Sequence, residues 1–195
     1  MAVVMRMEAP GATVEQYEAL NEAIGLDDDN PPDGLVIHMA GVTDDGMVVI
    51  DVWESEEKLT TFFDERLGKG LAESEMEAGP PRISKLHNMI PQGAGTEPTM
   101  IVEIEMDAGT DVYDDMTTKM PAHAGDDSEH PVVVHIAGVN EDGSMFIADL
   151  WESPEAFGAF AESQIAPAAD ERTGEIKPKV TPVHRVLRGT ADATA

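Results

Sequence analysis

The sequence predicts an α+β protein built as two consecutive copies of one β-α-β-β-α-β unit, and three observations carry that prediction. First, a particular string occurs twice. His38-Met-Ala-Gly41-Val-Thr-Asp-Asp-Gly46, followed by Asp51-Val-Trp53-Glu-Ser55, returns as His135-Ile-Ala-Gly138-Val-Asn-Glu-Asp-Gly143 followed by Asp149-Leu-Trp151-Glu-Ser153. Second, each copy fills about half of the 195 residues, a repeat length that marks a structural unit used again. Third, within each half the apolar period switches between that of a strand and that of a helix in the same order.

In the first half, Ala2 to Glu8 reads as a strand broken by Pro10-Gly11. Thr13 then caps a helix whose apolar face is Tyr17, Leu20 and Ile24, and Gly25 with the acidic run Asp27 to Pro32 ends it. Leu35 to Ala40 and Val48 to Trp53 are strands around the hairpin signal Thr43-Asp44-Asp45-Gly46. Ser55 caps a second helix with Leu59, Phe62, Phe63 and Leu67 on its apolar side, and Arg82 to Ile90 is the closing strand. The second half repeats each element: strand Met100 to Met106, a helix from Thr110 to Met120, strands Val132 to Ala137 and Met145 to Trp151, a helix begun by Ser153-Pro154, and strand Lys179 to Leu187. This is the ferredoxin-like order. Repeat 1 is placed at 1–91, a Gly/Pro-rich linker at 92–98, repeat 2 at 99–188 and a disordered tail at 189–195. Such small units gain stability by burying a sheet face, so the halves are expected to pack sheet to sheet as an intrachain pseudo-dimeric α/β barrel. The chain is then a monomer with a pseudo-dimer core, or a homodimer.

Charge narrows the choice of partners. The chain carries 39 Asp and Glu against 12 Lys and Arg, a formal net charge of −27, which repels nucleic acid and anionic membranes. It also repels itself, so salt should stabilise the fold. A thermal midpoint that climbs steadily from low salt to molar sodium chloride is the expected result, and a flat or falling one would contradict it. The N-terminus has no secretory pattern, no apolar run is long enough for a membrane helix, and cysteine is absent, so a cytoplasmic location is expected and thiol chemistry is excluded.

Strand alternation sorts candidate site residues by face. Ile37, Met39, Val48, Ile50 and Val52 form a purely apolar set suited to the helix-covered side, which sends His38, Asp51 and Trp53 to the other face. The second copy sorts alike, sending His135, Asp149 and Trp151 the same way. The hairpins differ by one residue; if the second turn absorbs it, His38 pairs with Asp51 and His135 with Asp149. First-strand parity adds Arg6 and Glu103 at equivalent inward positions, as substrate-binding residues beside Trp53 and Trp151. His87 and His184 also correspond, but both alternation sets of their strands mix polar and apolar residues, so their facing is open.

Val-Trp53-Glu-Ser-x-Glu-x-Leu-x-x-Phe62 and Leu-Trp151-Glu-Ser-Pro-Glu-Ala-Phe157-x-x-Phe160 resemble the dimeric α/β-barrel superfamily, particularly antibiotic biosynthesis monooxygenases, where a Trp ends the third strand and a Ser-capped helix follows. The resemblance covers both copies and implies a monooxygenase-like protein oxidising a small aromatic or polyketide-like compound with dioxygen and no bound cofactor. The superfamily's heme-degrading branch also uses a His in the second helix and an Asn in the first strand. This chain has neither, so heme is disfavoured.

The His–Asp pairs have two readings. Catalytically, His38 or His135 is a general base oriented by Asp51 or Asp149 in a pocket between the sheets, walled by Trp53 or Trp151. Structurally, each is a cross-strand hydrogen bond in a non-catalytic barrel that binds a small ligand or serves a stress-associated role. Two His and two Asp would also suit a metal if they converged, but no metal site is expected. Asp44-Asp45-Gly46 and Glu141-Asp142-Gly143 are turns, since neither has the spacing of a calcium loop.

Overall fold

A computed structural model describes residues 1–90, 97–120 and 132–191; residues 92–96 of the expected linker and 192–195 of the expected tail lie outside them. Among the described residues, eight strands and four helical runs follow one another in the expected order. They are β1 Val3–Pro10, α1 Val14–Ile24, β2 Leu35–Thr43, β3 Gly46–Trp53, α2 Glu56–Phe62, α3 Gly68–Glu73, β4 Arg82–Ile90, β5 Met100–Met106, α4 Thr110–Thr118, β6 Val134–Val139, β7 Met145–Trp151, α5 Pro154–Phe160, α6 Ala166–Ala168 and β8 Lys179–Arg188. The α2 and α3 segments form one run joined by a π-helical turn at Phe63–Leu67, and α5 and α6 are joined likewise at Ala161–Ile165. No described helix is long and apolar enough to cross a membrane.

Contacts divide the chain into two compact units: unit 1 is Met1–Lys85 with the C-terminal segment from Val183, and unit 2 is Leu86–Pro182. In unit 1 the strand order is β4-β1-β3-β2-β8, with the β4 share ending at Lys85 and the β8 share starting at Val183. In unit 2 the order is β8-β5-β7-β6-β4, using residues 179–182 and 86–90 of the outer strands. The pairs β1–β3, β2–β3, β5–β7 and β6–β7 are antiparallel.

Local chemistry explains the helix boundaries. Thr13 accepts from the Gln16 amide while the Gln16 side chain accepts from the Thr13 amide, a reciprocal cap that uses two otherwise orphaned donors. Gly25 ends α1 in the left-handed region at φ 65°, and Leu26 returns its N–H to the Asn21 carbonyl. Ser55 and Ser153 cap α2 and α5 through the amides three residues on, with Pro154 at the first helical position.

Both sheet faces of unit 1 are buried, and this corrects the expected facing. Val3, Met5, Met7, Ala40, Val49 and Trp53 form one cluster with Tyr17, Leu20 and Ile24 of α1 and Leu59 and Phe62 of α2. The helix-covered face therefore holds the odd positions of β1 and β3, with His38 and Ala40 of β2. The wholly apolar set Ile37, Met39, Val48, Ile50 and Val52 lies on the opposite face, at 0–1% exposure. Assigning the most apolar face to the helices fails because the far face is equally dry. Unit 2 repeats the pattern: Met100, Val102, Ile104, Ala137, Ile147 and Trp151 pack with Tyr113 and Met116 of α4 and Phe160 of α5.

Candidate functional site

The cross-strand register is the expected one. His38 stands opposite Asp51 and His135 opposite Asp149. The extra residue of the second hairpin is absorbed by its turn: β2 and β3 pair as far as Thr43 with Gly46, whereas β6 and β7 stop at Val139 with Met145. His38 Nδ1 lies 2.7 Å from Asp51 Oδ1, and His135 Nδ1 lies 2.8 Å from Asp149 Oδ1.

These pairs lie beneath the helices, and the helices complete them. Tyr17 of α1 places its hydroxyl 2.7 Å from His38 Nε2, and Tyr113 of α4 places its own 2.6 Å from His135 Nε2. The carboxylate fixes the proton on Nδ1, so Nε2 offers its lone pair and the tyrosine donates. The result in each unit is a buried Asp–His–Tyr chain, with both histidines and both aspartates at 4–6% exposure. Each tyrosine ring is also nearly parallel to its histidine, with centroids 6.1 and 6.0 Å apart.

The remaining candidates separate by face. Trp53 and Trp151 share the helix side, fully buried, each against a phenylalanine of the following helix at 5.1 Å. Trp53 Nε1 reaches toward Asp51 Oδ2 at 3.4 Å, a weak bond, while Trp151 Nε1 has no hydrogen-bond partner among the described residues. Arg6 and Glu103 point to the opposite face, in step with Val4 and Ile101. Arg6 pairs with Glu8 at 2.8 Å, and Glu103 stands opposite Lys179 with charged atoms 3.9 Å apart. The expected single inward set of His, Asp, Trp, Arg and Glu is thus divided, because the first-strand residues are one step out of phase with the His–Asp pair.

Sequence reasoning missed the tyrosines as site residues, placing Tyr17 only in the apolar stripe of its helix, and left the second histidine pair open. His184 of β8 lies edge-on to Tyr17 at 5.5 Å and pairs with Glu18 at 2.6 Å; His87 of β4 lies edge-on to Tyr113 at 5.5 Å and pairs with Asp114 at 2.7 Å. In both units the acid follows the tyrosine directly. The signal was a tyrosine in each first helix ahead of each repeated histidine, since a buried phenol needs a partner.

Burial pushes both phenols well above their usual range. For Tyr17 the nearby Asp51 and Glu18 charges reinforce this, while Asn21 and Arg185 oppose it. For Tyr113 the acids Asp149 and Asp114 reinforce it, and Asn88, whose Nδ2 donates to the phenol at 2.9 Å, opposes it. A cavity of about 30 Å³ lies beside the unit 1 chain, lined by Met5, Met7, Tyr17, Asn21, His38 and Asp51 among others. That is room for one or two water molecules. No group of three or more metal-ligating side chains occurs among the described residues.

Solved structures with this architecture span nearly the whole chain. A candidate monooxygenase from Fusobacterium nucleatum superposes with a TM-score of 0.70 at 6% identity, covering 96% of this chain and 94% of that one. The chain shares its fold with that protein. A candidate monooxygenase from Lactobacillus acidophilus gives 0.67 at 13% identity over 96% of both chains, and an anthrone oxidase-like protein gives 0.50 at 17% over 100% and 96%. No protein-family profile and no curated protein matches the sequence. Both ring nitrogens of His38 and of His135 are engaged, one by the carboxylate and the other by the tyrosine hydroxyl, so neither histidine offers a free lone pair to a metal in this arrangement.

Proposed function

We propose that this is a monooxygenase-like protein whose working centres are the two Asp–His–Tyr chains, and that it oxidises a small aromatic or polyketide-like compound with dioxygen and without a bound cofactor. The observation that carries the reading is the tyrosine hydroxyl bonded to His Nε2 beneath the helices of each unit. His Nε2 is already occupied, so the atom offered to a substrate is the tyrosine oxygen. It takes a proton from an acidic CH2 or phenol as its own proton passes to the imidazole, and Asp51 or Asp149 holds the imidazolium that forms. The substrate anion gives one electron to dioxygen, and the radical pair joins carbon to oxygen. The relay returns its proton to the resulting peroxide, which loses water to leave a carbonyl. One oxygen atom stays in the product and the other leaves as water. The same chain on the same elements in both units supports reading the protein as a tandem duplication.

Access requires the helical cover to lift. The π-helical turn at Phe63–Leu67 interrupts the helix just after Phe62, which lies on Trp53, and is where the cover gives. The small cavity favours a second reading, in which the chains hold the fold together and any ligand binds elsewhere. Oxygen consumption with a panel of anthrone-like compounds separates the two. The protein should consume oxygen, and His38→Gln with His135→Gln should lower kcat at least ~100-fold in a folded protein. Equal turnover by that variant would eliminate the proposed relay.

A further inference from the structure

We propose that a side-chain amide backs each tyrosine oxygen, Asn88 in unit 2 and Asn21 in unit 1, placed to bear the charge that forms when the phenol gives its proton to the histidine. In unit 2, Asn88 Nδ2 donates to the Tyr113 oxygen at 2.9 Å while that hydroxyl donates to His135 Nε2 at 2.6 Å. In unit 1, Asn21 lies one turn along α1 from Tyr17 at 3% exposure, and its amide acts on the phenol in the same sense from beyond close bonding distance. Burial disfavours the phenolate in both units, and in both the strongest influence the other way is this amide.

The repeated string does not explain these amides, because they sit at positions that do not correspond. One comes from β4 and the other from α1. Arg185 of β8 follows His184 as Asn88 follows His87, yet its guanidinium faces Glu18 and Asp28 at 3.9 and 3.6 Å. Thr117 stands four residues after Tyr113 as Asn21 stands after Tyr17, and its hydroxyl donates to the Asp114 carbonyl at 2.9 Å. The same donor thus reaches each phenol by its own route, which marks the contact itself as what the centre uses. A neutral phenol that already donates to histidine needs it little, since a spare acceptor lone pair is tolerated more readily than an orphaned donor. A phenolate needs it more, because a hydrogen bond to a charged oxygen is roughly twice as strong as one between neutral groups. The amide therefore favours passage of the phenol proton to His Nε2 and leaves the oxygen ready to accept one from a substrate. Asn21 and Asn88 are positioning residues that act through the tyrosines. Their part in turnover rests on the oxidase reading above, whereas their hold on the phenolate does not.

The full chain with difluorotyrosine in place of tyrosine provides the test, because ring fluorines bring phenol ionisation into the range where the fold persists and positions 17 and 113 are the only reporters. Fluorine magnetic resonance follows each ring separately. Asn88→Leu should raise the pH of half-ionisation of the ring at position 113 by about one unit and leave the other ring in place. Asn88→Asp, which keeps the shape but cannot donate, should raise it further. An unmoved ring in both variants overturns the proposal. Asn21→Leu should raise the ring at position 17 by a smaller amount, since the charge of Arg185 stays beside it, and no rise there overturns the role of Asn21. In turnover, Asn21→Leu with Asn88→Leu should lower kcat on the order of 10-fold with KM within about twofold; an unchanged kcat overturns the part given to the amides in catalysis. Raised phenols in a protein that oxidises nothing would confirm the amide as the partner of the phenolate and overturn the oxidase reading alone.

Discussion

His38→Leu should destabilise the protein by about 3–5 kcal/mol, clearly more than Asp51→Leu at about 1–3 kcal/mol, although the two residues share one hydrogen bond. The asymmetry follows from what each change leaves behind. Without His38, the Asp51 carboxylate stays 4% exposed with the indole N–H of Trp53 at 3.4 Å as its nearest donor, so a buried charge loses its main partner. Without Asp51, what remains is a neutral imidazole with one unmatched N–H, still bonded to Tyr17. The double replacement removes both liabilities, so its cost should fall short of the sum of the singles by about 0.5–3 kcal/mol. Urea denaturation of the four proteins measures all three quantities, with hydrogen exchange in α1 and β3 assigning the loss to unit 1. Equal single costs that simply add would show that the carboxylate is not held as a charge by the imidazole.

Element order and cross-strand register were readable because each has a local signal. Thr13, Gly25, Ser55 and Ser153 mark helix ends by capping chemistry, and the repeated hairpin brings His38 to Asp51 and His135 to Asp149 whatever lies on either face. Facing was misread because alternation distinguishes the two faces without naming them. Ile37, Met39, Val48, Ile50 and Val52 look like a helix-covered face, yet a sheet buried on both sides has two such faces. The decisive clue was polar: His38 and Asp51 could be buried under helices only if a helix supplied a hydrogen-bonding tip, and Tyr17 is the polar-tipped aromatic of α1. The π-helical turns also left a trace. Phe62 to Leu67 and Phe160 to Ile165 are spaced by five residues, one more than the α-helical period, so the apolar stripe keeps its side only if the helix widens there.

Alkaline titration should expose both centres at once, because Tyr17 and Tyr113 are the chain's only tyrosines. Burial raises both phenols in the folded protein, whereas in the unfolded chain they ionise near pH 10. The folded state therefore binds protons that the unfolded state releases. The stability this confers is complete below about pH 10 and is lost as the pH climbs toward the folded values. Each phenol contributes a slope of about 1.4 kcal/mol per pH unit, so the two together give about 2.7 kcal/mol per unit. Phenolate absorbance should accordingly stay flat past pH 10 and then rise steeply together with the loss of helical circular dichroism. Tyr17→Phe should roughly halve the slope, at a cost near neutral pH of about 1–3 kcal/mol for the His38 Nε2 lone pair left unmatched. Phenols that titrate smoothly near pH 10 with the fold intact would mean that the hydroxyls reach solvent, and the hydrogen bonds to His38 and His135 on which the proposed function rests would have to be abandoned.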